Sequence, residues 1–530
     1  MELHGKNLIG RGLSADGEQI VEAHEPATGA KLAPVFFEAT TSELDRAAKL
    51  AAEAAPAFSR CTHEQVFAFL MTMVDEISAL GDHLLKRASQ ESGLGIDRLT
   101  GERARTLNQI RMFAEMVRSG SWIHPYIDRA LPDRKPLPRS DLRRTYLPIG
   151  PVAVFGASNF PLAFSVAGGD TISALAGKNP VIVKGHPAHP GTSEMVATAI
   201  AKAVAASGLP EGVFSLLQGA APRVSIDLVM HPAVRAVGFT GSERAGRAIF
   251  DAAAKRPSPI PVYAEMGSLN PVFLLPSAAA DANRIAKGMF GSFTLGVGQF
   301  CTKPGLLIAE QGEHFESINS DLADLVRKSS AGTMLYGGIR DAFRKGVSEA
   351  AKVGGVSDVT SSSADAEAGD GTLASAHLLS VDADTWLQSP ELHNEIFGPA
   401  TLAIGCDSRA KMLAVANALE GNLTATVHGT PEELNEFSDL IEVLRSKVGR
   451  IIFNGYPTGV EVSHAMHHGG PYPATTDAKF TSVGATAIYR FVRPICYQDF
   501  PDSVLPVELQ NANPLQLWRV VDGQLTRDAL

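Results

Sequence analysis

At 530 residues, 45% hydrophobic and 20% charged, the chain has an ordinary globular make-up and length for about two or three domains. Its net charge of -10 weighs against a nucleic-acid-binding surface, so an anionic substrate would need a local basic site. The four cysteines, Cys61, Cys301, Cys406 and Cys496, form no CxxC pair; this gives no disulfide framework and no zinc motif, and a reduced, cytoplasmic setting is expected.

Met1-Glu-Leu-His-Gly-Lys6 lacks a basic start followed by an apolar run, so no signal peptide is expected. No uncharged apolar run of ~18 residues predicts a membrane span. Asn422-Leu-Thr fits a glycosylation pattern but carries no weight without secretion. The first segment reads as short strands broken by Gly and Pro, as in Pro26-Ala-Thr-Gly29. A helix is predicted from Thr41, with Thr41 as cap and the Ala-rich run 47–55 as its body. Residues 63–118 read as mostly helical. The Pro-, Arg- and Asp-rich stretch from Ile123 to Pro148 reads as an extended excursion.

From residue 150, short β-branched runs (152–155, 181–184, 213–217, 234–239) alternate with helical runs (169–176, 192–207, 225–230). That alternation predicts a wound parallel sheet covered by helices on both faces. A second α/β series follows, with strands at 272–275, 306–309, 400–404, 424–428 and 451–454 and a long helix at 432–447. Two such series suit a cofactor half and a catalytic half with a cleft between them. Ser357–Thr372 is low-complexity and predicts a surface loop; no internal repeat is present.

Gly238-Phe-Thr-Gly-Ser242 joins a predicted strand to a predicted helix, 243–254. Free N–H groups and the helix dipole make such a turn an anion site, with Gly241 allowing close approach and Ser242 a donor. It lacks the GxGxxG pattern, and alone an ordinary turn is the plainer reading. Lys184 ends the strand Val181-Ile-Val-Lys, where ligands bind in open α/β sheets. Alone it is equally a solvated lysine. Glu265 ends Pro261-Val-Tyr-Ala-Glu, and Cys301 follows Gly296-Val-Gly-Gln-Phe300. A thiolate-prone Cys would be nucleophilic, but most lone cysteines are inert and most carboxylates solvated. His464, His467 and His468 invite a metal reading. Gly469-Gly-Pro471 speaks against the helix it would need, and a polar loop at a pocket mouth is preferred.

Together and in this order, these segments resemble the aldehyde dehydrogenase superfamily from about Pro26 to Pro494. Ser158-Asn-Phe-Pro161 resembles its oxyanion segment and Val181–Lys184 its ribose-binding strand. Phe239-Thr-Gly-Ser242 resembles its dinucleotide turn, and Glu265-Met-Gly267 its general-base motif. Gly298-Gln-Phe-Cys301 resembles the nucleophile loop, and Glu395-Ile-Phe-Gly-Pro399 the second cofactor motif. Residues 155–164, 184–193 and 453–462 are most similar to the 2-oxoglutarate semialdehyde (2,5-dioxopentanoate) dehydrogenase branch; a fatty-aldehyde branch shares much of the pattern.

The resemblance implies an α/β fold. A Rossmann-like cofactor domain would span residues 1–122 and 147–263, and a catalytic domain 264–460. A β oligomerisation arm would take 123–146 and 485–500, with a strand near 485–493, and 501–530 would be a C-terminal tail. Such members are homodimers or homotetramers. It also implies roles: Cys301 as nucleophile, Glu265 as the base that hydrolyses a thioester, and Asn159 with the Cys301 N–H as oxyanion donors. Lys184, Thr240, Gly241, Ser242, Glu395 and Phe397 would hold NAD or NADP. Pro187 stands where NAD-preferring relatives often carry a ribose-binding Glu, so NADP is favoured, with Arg223 on its adenine or phosphate. Asn394 replaces a common Glu with no clear consequence. Phe164, Arg111 and His464, in or near the 458–468 loop and the preceding helix, are the substrate candidates; no metal, nucleic acid or membrane partner is implied. Three other readings are a long-chain aldehyde dehydrogenase, an acyltransferase passing the thioester to coenzyme A, and an inactive structural homologue. Glu265 speaks against the acyltransferase, and the intact Cys301, Asn159 and Glu265 against the inactive homologue.

Overall fold

The computed structural model describes residues 2–361 and 371–530. Its first sheet has seven strands in the order Val262–Glu265, Ala236–Thr240, Val152–Phe155, Val181–Lys184, Phe214–Leu217, Asn7–Ile9, Gly12–Ser14. The first five run parallel, and the N-terminal hairpin closes one edge antiparallel. Val152–Phe155 and Val181–Lys184 are buried at every position, as parallel strands covered on both faces must be. The covering helices include Thr41–Ser59, His63–Ala79, Ile96–Ser119, Pro190–Ala206 and Glu243–Ala254.

The first helix begins one residue away from its expected cap. Thr40, not Thr41, caps Thr41–Ser59, because Glu43 sits three residues on and returns a carboxylate to the Thr40 N–H at 2.8 Å.

The second sheet also has seven strands, ordered Ser357–Ser361, His377–Asp382, Ala400–Cys406, Leu306–Glu310, Val272–Leu274, Asn422–His428, Val448–Phe453. All pair parallel except Ser357–Ser361, which runs antiparallel at the edge. The loop expected at 357–372 is therefore corrected at its start, where Ser357–Ser361 pairs with His377–Asp382; residues 362–370 lie outside the described residues. The helix expected at 432–447 is two, Pro431–Glu436 and Ser438–Lys447, broken where Phe437 turns into the core.

A third, five-stranded sheet joins Val492–Gln498, Leu142–Pro148, Tyr126–Asp128, Arg519–Val521 and Gln524–Thr526. One difference from expectation falls here. Ala485–Phe491 is a 3₁₀ segment, not strand, because its three-residue apolar spacing lines up Ala485, Ile488 and Phe491 on one buried face. The C-terminal tail, 501–530, is part of this sheet and gives it its last two strands. No helix among the described residues is long and apolar enough to cross a membrane.

Candidate active site

The carboxyl ends of the first sheet face the loop that precedes strand Leu306–Glu310 of the second. Glu265 is the last residue of its strand and lies 2% exposed. Cys301 sits on the facing loop, which is forced into an unusual path. Gly296, Val297 and Gly298 all take positive φ (57°, 59° and 64°), a strained conformation for the β-branched Val297. Gly298 has no substitute: a Cβ there would run into the Gly398 carbonyl, so the loop rests directly on the Glu395–Pro399 segment.

Buried Asn270 (φ 47°) holds the Cys301 loop from below. Its amide donates to the Cys301 carbonyl at 2.9 Å and the Lys303 carbonyl at 3.0 Å, and its oxygen accepts from Ser268 and Thr424. From above, the Asn159 amide donates to the Gln299 carbonyl at 3.1 Å, leaving its second N–H for another acceptor. Asn159, Glu265 and Cys301 are thus brought together.

The third member of the cluster is His468. Its Nε2 lies 3.4 Å from Cys301 Sγ and 2.9 Å from Glu265 Oε1, while Ser482 Oγ donates to the other Glu265 oxygen. Sequence reasoning placed His468 in a polar loop at a pocket mouth. The structure instead buries it at 1% exposure, with its backbone N–H donating to Thr481 Oγ1 at 2.8 Å. No local signal could have found it: it stands 203 residues from Glu265 and 167 from Cys301. The Glu265, Cys301 and His468 ligand atoms lie within 4.8 Å of one another, close enough to hold a metal ion, although their mutual hydrogen bonds already account for the grouping.

Burial pushes the Cys301 thiol well up, and the adjacent Glu265 carboxylate pushes it further. Burial also pushes Glu265 up, but His468, Ser482 and Cys301 together outweigh it and hold the carboxyl below its ordinary range. Both directions favour a carboxylate on Glu265 beside a thiol on Cys301. A cavity of about 20 Å³ borders Glu265, His468, Ser482, Thr475 and Arg490, room for about one water.

At the end of its strand Lys184 is 8% exposed, its ammonium without a hydrogen bond among the described residues, and burial pushes it down to about 8. Thr240 ends the neighbouring strand, and Ser242 caps the exposed N-terminus of Glu243–Ala254. A Cβ at Gly241 would meet the Phe239 ring at 2.7 Å, so the turn stays bare. These groups share one sheet edge. They offer a cation, free amides and a surface a backbone can approach, a donor set that fits a dinucleotide. Glu395 lies beside Gly267 and is raised to about 7 by burial, which Lys303 partly offsets; Phe397 is half-buried next to it.

Arg223 is exposed beside Glu38, the carboxylate that acts on Lys184; its guanidinium donates to Asp227, Thr41 and the Ala39 carbonyl, each at 3.1 Å, and lies 3.7 Å from Glu38. Two expected residues are placed elsewhere. Arg111 is exposed, on the solvent side of its helix, and donates to Asn108 at 3.0 Å. His464 is exposed on its loop. Phe164 is half-buried against Phe160, with Arg105 rather than Arg111 over its ring at 5.0 Å.

The family model for the Aldehyde dehydrogenase family matches residues 13–471. The chain is 50% identical to an alpha-ketoglutaric semialdehyde dehydrogenase 2 of Azospirillum brasilense, over 99% of this chain and 100% of that protein. It is 42% identical to an alpha-ketoglutaric semialdehyde dehydrogenase of Acinetobacter baylyi, with the same coverage. Among solved structures it resembles an apo betaine aldehyde dehydrogenase from Staphylococcus aureus (TM-score 0.80, 18% identity, 95% of this chain and 97% of that one). It also resembles aldehyde dehydrogenase C of Pseudomonas syringae, solved with NAD+ and octanal (TM-score 0.79, 21% identity, 94% and 97%). With a cysteine, a carboxylate and an amide converging at the edge of a dinucleotide-type sheet, and a family match over most of its length, this chain belongs to the aldehyde dehydrogenase family.

Proposed function

We propose that the chain oxidises an aldehyde to its carboxylic acid through a thioester on Cys301, with 2-oxoglutarate semialdehyde as substrate and 2-oxoglutarate as product. The observation that carries the chemistry is the Cys301–His468–Glu265 array under Asn159. The substrate follows the names of the relatives at 50% and 42% identity.

Glu265, bonded to the thiol and to His468, accepts the Cys301 proton and passes it to water, so that it is again a carboxylate before the acyl step. Cys301 attacks the aldehyde carbon. Asn159 and the Cys301 N–H hold the resulting alkoxide, at about 2.7–4 kcal/mol per donor. Bound nicotinamide supplies the hydride acceptor as the alkoxide collapses to a thioester. Glu265 then takes a proton from water, the water oxygen attacks the thioester carbon, and Cys301 leaves as thiolate. Lys184, Thr240, Gly241, Ser242, Glu395 and Phe397 hold the cofactor. Pro187, without a carboxylate, favours NADP+ over NAD+, and the reaction suits a cytoplasmic enzyme.

The test is to follow reduced-nicotinamide absorbance with both cofactors and a panel of semialdehydes and long-chain aldehydes. Higher kcat/KM with the five-carbon oxo-acid supports the reading. A far higher value with decanal overturns the substrate, absorbance change only in the presence of coenzyme A overturns the hydrolytic step, and none with any aldehyde overturns the activity. The third sheet, with its exposed apolar side chains, serves self-association into a dimer or tetramer.

A further inference from the structure

Helix Ile96–Ser119 turns three charged side chains, Arg98, Glu102 and Arg105, toward the Asn159 segment along one stripe. Arg98 donates to the Asn159 carbonyl at 2.8 Å, its guanidinium lying 5.1 Å from the Phe160 ring centre and 4.9 Å from that of Phe300. One oxygen of Glu102 accepts from the Leu162 and Ala163 amides at 2.8 and 2.9 Å. Both side chains are tied to the loop that carries Asn159, each with one further buried atom, Arg98 Nη1 and Glu102 Oε2, that has no partner among the described residues.

Arg105 is not so tied. Its guanidinium lies over the Phe164 ring at 5.0 Å, and its Nη1 is buried with no hydrogen-bond partner among the described residues. Glu102 offsets part of its charge from nearby, and across the site it acts electrostatically on Cys301, Glu461 and Glu265. It therefore lies within electrostatic reach of the reacting sulfur, on the buried side of a helix whose exposed side carries Arg111. A buried guanidinium N–H without an acceptor is costly, and Glu102 Oε2, itself buried without a partner among the described residues, does not reach it, so an incoming anion would satisfy it. The Phe164 ring on one side holds the guanidinium in place, and its unpartnered Nη1 is a donor of the kind that pairs with a carboxylate.

We propose that Arg105 forms a carboxylate-binding subsite opposite Cys301, which holds the far end of a short oxo-acid while its aldehyde carbon meets the sulfur. The assignment rests on the semialdehyde reading above and names the residue that would enforce it.

The full-length enzyme is assayed with 2-oxoglutarate semialdehyde and with pentanal, an uncharged aldehyde of equal length, as wild type, Arg105→Gln, Arg105→Lys and Arg111→Gln. Arg105→Gln is expected to lower the preference for the charged substrate roughly 100-fold, mostly through KM. Arg105→Lys restores part of it, and Arg111→Gln changes neither substrate. Inhibition by glutarate, competitive with the aldehyde, weakens in parallel, and this is readable in the Lys variant should the Gln variant fold poorly. Equal losses for both aldehydes would make Arg105 structural and overturn the subsite. A wild-type preference that both Arg105 variants retain also overturns it, leaving the substrate reading intact. No preference in the wild type overturns the substrate reading and the subsite together.

Discussion

Cys301 must be a thiolate to attack and Glu265 a carboxylate to deprotonate water, yet the two side by side disfavour each other's charge. Burial and Glu265 raise the thiol, and Glu265 itself stays low because His468 and Ser482 bond to it. The sign for Cys301 follows: the thiol persists above neutral pH, and alkylation by iodoacetamide speeds up as pH rises through its raised value. Glu265→Gln removes both the like charge and an acceptor of the S–H bond, so the alkylation midpoint should move down by about one pH unit. A midpoint that stays or rises would remove Glu265 from the thiol's surroundings. In turnover, Glu265→Gln should give one burst of reduced cofactor and then stall, since hydride leaves before water attacks, whereas Cys301→Ala should bind cofactor and give neither burst nor turnover. Cofactor choice is set at the same scale. NADP+ should serve at least as well as NAD+, and Pro187→Glu should weaken NADP+ more, by repulsion of the 2′-phosphate. Strict rejection of NADP+ by the wild type would defeat this reading and direct attention to Glu38, the carboxylate electrostatically nearest Lys184, whose oxygen already accepts from the Ala220 and Ala221 amides.

The loop before Cys301 and the Glu395–Pro399 segment are two elements that fit only because Gly298 has no side chain. Gly298→Ala adds a clash with the Gly398 carbonyl to a φ of 64°, so it should cost about 1–3 kcal/mol of stability and reduce turnover by misplacing the sulfur. Denaturant melts and kcat measured together check this; an unchanged melt with full activity would show that the loop need not dock there. Gly298 was legible as part of a motif, as were Glu265 at a strand end and the β-branched runs of both sheets, because these signals are local. Periodicity placed Gly169–Ala176 and Glu243–Ala254 at their observed bounds. What was not legible depends on distant pairing. His468 gains its meaning only when residues 454–484 fold back as irregular chain and place it on Glu265. Arg105 and Arg111 are chemically alike and differ only in which side of one helix they occupy, a phase that a helix polar along much of its surface does not reveal. The partners of Arg223, Asp227 and Thr41, were not legible either, since Thr41 lies far off in the chain.

The third sheet gives the molecule a surface unlike the rest of it. Arg129 and Arg139 clamp Asp522 at 2.6 and 2.7 Å, so the excursion near residues 126–139 and the C-terminal strands move as one piece. That piece exposes Leu137 (69%), Leu525 (65%) and Trp518 (58%), and it ends in two strands with an unpaired edge each, Val492–Gln498 and Gln524–Thr526. An apolar surface with open edges favours burial against another chain, and self-association is the arrangement proposed above. Sedimentation should therefore find the wild type as a dimer or tetramer. Leu137→Asp with Leu525→Asp should shift it toward monomer, since each Leu forfeits about 1.5–3 kcal/mol of burial and each carboxylate adds a desolvation cost. A monomeric wild type, or a double variant of unchanged mass, would rule this surface out. The dissociated variant also separates assembly from chemistry. Cys301, His468, Glu265 and Asn159 converge within one chain, so the pH profile of Cys301 alkylation should persist in the monomer even where turnover falls. A profile lost on dissociation would mean that the neighbouring subunit holds the catalytic loop in place.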